Sequence, residues 1–96
     1  MTAFKNLPIK TGESDLPEPA TLKPITEATA RELVSAGAVR IVQVVRHGDA
    51  WAVVVRVALR DRVVRSQREA VRTWRNLDTV AAWVGQLGAA GFEVVL

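Results

Sequence analysis

The chain has no cysteine and a single histidine, which closes the commonest routes to a bound metal. Without cysteine there is no disulfide framework and no thiolate site, a composition that suits a reducing compartment. His47 alone falls far short of the roughly four ligands an ordinary zinc site requires. It lies in a turn signal, His47-Gly48-Asp49, with no nucleophile at a useful spacing, and reads as a solvated turn residue rather than a general base. Also missing is any apolar run near the ~20 residues of a membrane-spanning helix. The first ten residues lack the apolar core of a signal peptide. A bacterial cytoplasm is the expected location. Gly85, Gly88 and Gly91 are evenly spaced, but they end a helix instead of following a strand, and no Walker-type lysine accompanies them. Few carboxylates fall in the folded part, and Asp78 and Asp49 are used as a cap and a turn residue. The expectation is a chain that is not an enzyme, with no cofactor, no metal and no small-molecule substrate.

What is present is positive charge of one kind, concentrated in the middle. Of the 96 residues, 13 are Lys or Arg and 10 are Asp or Glu, for a net charge of +3. Residues 38–76 carry nine arginines against Asp49, Asp61 and Glu69, a net of +6, while 1–37 sum to −1 and 77–96 to −2. Arginine offers a planar fork that donates two parallel hydrogen bonds to phosphate or carboxylate. The same distribution also serves simply to solubilise one face of a sheet.

All four prolines lie in residues 1–24, among charges and few periodic apolar residues. That stretch is expected to be a flexible tail, with one α+β domain over 25–96. Thr26 to Ala36 reads as a helix, capped by Thr26, supported by Glu27 and stopped by Gly37, with Ala30, Leu33 and Val34 on one side. The period then changes from helix to strand. Ala38 to Arg46 and Trp51 to Leu59 form a hairpin about His47-Gly48-Asp49. In the second run Trp51, Val53, Val55, Val57 and Leu59 alternate with Ala52, Val54, Arg56, Ala58 and Arg60, the pattern of a half-buried strand with a wetter, arginine-bearing face. Arg62–Arg68 and Val71–Arg75 are weaker strand candidates on either side of Glu69-Ala70. Asp78 is placed as the N-cap of a second helix whose Val80, Trp83, Val84 and Leu87 share a face, and Phe92 to Leu96 is a final strand. The expected order is α-β-β-β-β-α-β, a small antiparallel sheet with two helices on one face.

Three tryptophans carry most of the aromatic surface. Trp51 and Trp83 fit core stripes. Trp74, in Arg72-Thr73-Trp74-Arg75, is either a buried ring between solvated neighbours or a platform for stacking single-stranded bases.

Three segments together, "ITEATARELVSAGAVR", "GDAWAVVVRVALRDRVV" and "VRTWRNLDTVAAWVGQLGAAGFEVVL", resemble the ParC-type partition-associated proteins of bacterial plasmids, which are unrelated to the topoisomerase subunit of that name. The likeness spans Ile25 to Leu96. The chain departs from the pattern at Glu69-Ala70, where a glycine turn is expected. The resemblance implies an accessory role in plasmid partition or maintenance, beside a partition ATPase and a centromere-binding protein, and it brings no functional residues with it.

Two binding functions follow. The first is contact with DNA through an arginine-bearing sheet surface, with Arg40, Arg56, Arg60, Arg62, Arg65, Arg72 and Arg75 as candidates. In the second, an adaptor, the same residues meet an acidic patch on a partition protein. Arg56 and Arg60 are expected to share one side of the best-defined strand. Small size and an exposed strand edge add the expectation of a homodimer.

Overall fold

The computed structural model describes residues 18–95. A one-turn 3-10 helix, Pro19–Thr21, leads into β1, Lys23–Ile25. Then follow α1 (Glu27–Ser35), β2 (Val39–His47), β3 (Ala50–Val57), β4 (Arg60–Val64), α2 (Leu77–Leu87) and β5 (Glu93–Val95). The fold is α+β, with five strands in the order β1-β4-β3-β2-β5.

The sheet is mixed, where a purely antiparallel one was expected. β2, β3 and β4 form an antiparallel meander, but β1 joins β4 in parallel and β5 joins β2 in parallel. Parallel neighbours need crossovers. Here β1-α1-β2 and β4-α2-β5 both step across the sheet in the same direction. Two crossovers of one hand that step the same way put both helices on the same face. The main core confirms that placement: Ala30 of α1 and Val80, Trp83, Val84 and Leu87 of α2 pack with Val42, Val44, Trp51, Val53, Val55 and Val64.

Local chemistry explains the ends. Thr26 caps α1, its side chain accepting from the Thr29 amide at 3.1 Å. The cap of α2 is Asn76, two residues before the expected Asp78: Asn76 Oδ1 accepts from the Asp78 amide at 2.8 Å. Asp78 instead sits in the first turn, where its charge favours the helix dipole. Gly88 closes α2 at φ 102°, a left-handed conformation that suits glycine.

Three further expectations are corrected. The run through Leu59 is two strands: β3 stops at Val57, Ala58-Leu59 makes a two-residue turn, and Arg60 opens β4 opposite Val57. Ala58 takes φ 58°, where such a turn normally places glycine. The strand expected over 71–75 is a single bridge, Trp74 to Trp51, reached after the chain leaves β4 at Arg65 and turns through Ser66–Glu69. Finally, of the stretch expected to be a tail, the described part holds the 3-10 helix and two residues of β1; residues 1–17 lie outside the described residues.

Candidate binding surface

The arginines separate into structural and available groups. Arg56 lies on the helix-free face of β3, opposite Asp61 of β4. Its Nε and Nη2 donate to the two Asp61 carboxylate oxygens at 2.9 and 3.3 Å, a fork-on-carboxylate pair. That hydrogen bond, together with the Asp61 charge, raises the guanidinium's proton affinity above its ordinary value; burial opposes it, and the Glu93 charge adds least. Around this pair the face is apolar. Val45, Ala52, Val54 and Val63 are buried there in a second cluster with Leu22, Val71 and Val95 at its margin. The wetter arginine-bearing face expected for β3 is therefore mostly core.

Arg72 is also occupied. Its guanidinium lies 4.7 Å from the Trp74 ring centre and 5.5 Å from that of Trp83. It donates to Glu27 Oε1 at 3.1 Å, while Arg31 donates to Glu27 Oε2 at 2.7 Å and to the Gln86 carbonyl at 2.6 Å. The Glu27 carboxylate thus ties α1 to the segment between β4 and α2, and Arg31 ties α1 to α2. The Arg31 hydrogen bond is the main reason the Glu27 carboxyl sits below its usual range; the Trp83 indole and the charges of Arg72 and Arg31 add to it, and burial opposes it. The geometry at Trp83 is looser than a full hydrogen bond, and its buried Nε1 has no partner in range. Trp74 is buried against Trp83, with ring centres 5.0 Å apart, so its ring serves the core and is not a free stacking platform. Arg46 covers the Trp51 ring at 4.9 Å in the same way.

The available group gathers at one end of the sheet. Arg60 and Arg62 alternate along β4 on the helix side, ~7 Å apart by strand geometry. Lys23 of β1 stands beside Arg62 in the parallel ladder. Arg60 faces Val57, which faces Val39, and Arg40 follows Val39 where the β2 register slips. A bulge of this kind leaves the extra residue out of the pairing. Lys23, Arg60 and Arg62 thus stand on the neighbouring strands β1 and β4 beside the β3–β4 turn, while Arg40, at the same end of the sheet, lies across β3 from them and lines a separate groove with Phe92 and Glu93. The three ion pairs among the described residues use none of them. Arg56 and Arg60 do not share a side, contrary to the alternation of one long strand. Arg65 and Arg75 belong to the opposite end, near the helix N-termini, and Arg65 Nε donates to the Ser66 carbonyl at 3.0 Å.

Lys23 was not among the candidates, because it fell within the expected tail. The signal for it was Lys23-Pro24 itself, since lysine and proline are typical guards of an edge strand. Beside these cations, Ile25, Leu33, Val57, Ala58 and Leu59 line a cleft with Arg60 and Arg62, and Leu59 is 95% exposed. Among the described residues, no three His, Asp or Glu side chains gather as a metal site requires, and no helix is long and apolar enough to cross a membrane.

This arrangement of strands, caps and helices spans the segment that a model of the ParC-like family matches, residues 25–96. The chain belongs to the ParC-like family. No curated protein and no solved structure matches it. In this ParC-like chain the basic end draws Arg40, Arg60 and Arg62 from the matched segment, and Lys23 from just before it.

Proposed function

We propose that this ParC-like protein is a non-enzymatic accessory of plasmid partition or maintenance in the bacterial cytoplasm, and that it binds DNA through its basic end. The observation that carries the reading is the placement of Lys23, Arg60 and Arg62 together on β1 and β4, with Arg40 at the same end of the sheet and no carboxylate in ion-pair range of any of them among the described residues. Like charges held together on a fold repel, and an anion supplied from outside relieves that repulsion. Such cations displace the counterions condensed on DNA phosphates, and most non-specific affinity for DNA comes from that release. The test is binding of the full chain to a duplex of arbitrary sequence across a range of salt. A steep, log-linear loss of affinity with salt supports phosphate contact, and weak binding with no salt dependence overturns it.

One feature favours a second reading, an adaptor for an acidic segment of a partition protein. The cleft beside the cations is lined by Ile25, Leu33 and Val57, and Leu59 projects next to it. A peptide that alternates carboxylates with apolar side chains would use both. In that case salt acts chiefly on the association rate, and the apolar contacts on the dissociation rate.

A further inference from the structure

The two edges of the sheet differ in how they are protected. Both edge strands are three residues long, but β1 carries Lys23 and contains Pro24, which has no amide hydrogen to offer a neighbour. β5, at the other edge, has no proline, no lysine and no break in its register with β2. Its one charged residue, Glu93, is engaged on the helix-free face by Gln43 at 3.3 Å. On the helix side, Val94 is 38% exposed and the preceding Phe92 36%. An unguarded edge with an apolar side is a template for another strand.

We infer that β5 is a homodimer interface, at which a second copy of this chain adds its own β5 in antiparallel register centred on Val94. Self-pairing about a two-fold axis restricts the register sharply. A sheet that keeps both helix layers on one side must set residues of the same face opposite each other. Centring on Val94 places Val94 against the partner's Val94, and Glu93 against the partner's Val95. The nearest alternative, centred on Glu93, sets two carboxylates directly opposite, which is destabilising. The Val94 register also brings both exposed apolar side chains of each copy to the seam. The result is a continuous ten-stranded sheet whose outer edges are the two guarded β1 strands. This inference does not rest on DNA binding.

Sedimentation of the full chain at high micromolar concentration should give twice the monomer mass. Val94→Lys should give a monomer with unchanged circular dichroism, because the lysine stem replaces the valine packing while its charge blocks the edge. A wild-type monomer at that concentration overturns the inference, and so does a Val94→Lys protein that still dimerises. The absence of cysteine supplies an independent test. Facing residues of an antiparallel pair have α-carbons about 4.5–5.5 Å apart, within disulfide reach, whereas diagonal positions are about 7–8 Å apart and outside it. Mild oxidation should therefore cross-link Val94→Cys into a covalent dimer and leave Glu93→Cys largely monomeric. Equal cross-linking of both variants contradicts the register.

Discussion

Lys23 and Arg62 stand side by side in the parallel β1–β4 ladder, two cations with no carboxylate between them. Like charges in directly neighbouring positions weaken a sheet by about 0.2–1 kcal/mol. Replacing Lys23 by glutamate turns the repulsion into an attraction. Lys23→Glu should raise the thermal midpoint by a few degrees, as expected when a small domain gains up to about 1 kcal/mol. The same change should weaken anion binding. Stability and binding moving in opposite directions would mark Lys23 as kept for contact, and a loss of both would show a packing role.

Arg72 is expected to behave in the reverse way. Its stacking on Trp74 and Trp83 and its bond to Glu27 hold three segments together. Removing two cation–π contacts and an ion pair should cost about 1–2 kcal/mol after allowance for solvent screening. Arg72→Lys should recover only part of that, since an ammonium lacks the planar face that stacks. Urea titration followed by tryptophan fluorescence reads the difference directly. Binding at the basic end should be unchanged in the fraction that remains folded.

Glu27 gives the fold a pH dependence of predictable sign. Its carboxyl holds its proton less tightly in the fold than in the unfolded chain, chiefly through the Arg31 hydrogen bond. A group of this kind contributes its stability fully above its ordinary value near 4.5, and loses it as pH falls through the lower folded value. The unfolding free energy should therefore decline below about pH 4.5, with a shallower decline in Glu27→Gln. Parallel pH profiles for the two proteins would show that the acid sensitivity comes from other carboxylates.

Long, strongly patterned elements were legible in the sequence, and short ones were not. The stripe Val80, Trp83, Val84, Leu87 and the Thr26 cap predicted both helices, and valine-rich alternation predicted the first hairpin around Gly48. β1 was hidden because three residues are too few to display alternation, and proline argued against a strand. The second hairpin was hidden because its turn lacks the glycine that marked the first. Gly48 opens that first turn at φ 66°, and Ala58 adopts nearly the same angle, 58°, with a β-carbon in place. One long strand was the natural reading, and it put Arg60 on the wrong side. Ala58→Gly should remove steric strain of about 1–2 kcal/mol, partly offset by about 0.4–1 kcal/mol of added freedom in the unfolded chain. A modest gain in chemical-denaturation midpoint is expected, and a clear loss would contradict the strained turn.

If Arg60 and Arg62 meet an external polyanion, the salt dependence of DNA binding must register both of them. The log of the DNA-binding constant is followed against the log of salt concentration for the wild type and for Arg60→Ala with Arg62→Ala. Each phosphate contact contributes about 0.9 to the slope, so the double variant should be shallower by about two units and weaker at low salt. Its thermal midpoint should stay close to the wild type, since neither arginine takes part in an ion pair among the described residues. An unchanged slope in a folded double variant would contradict the claim that the basic end meets DNA.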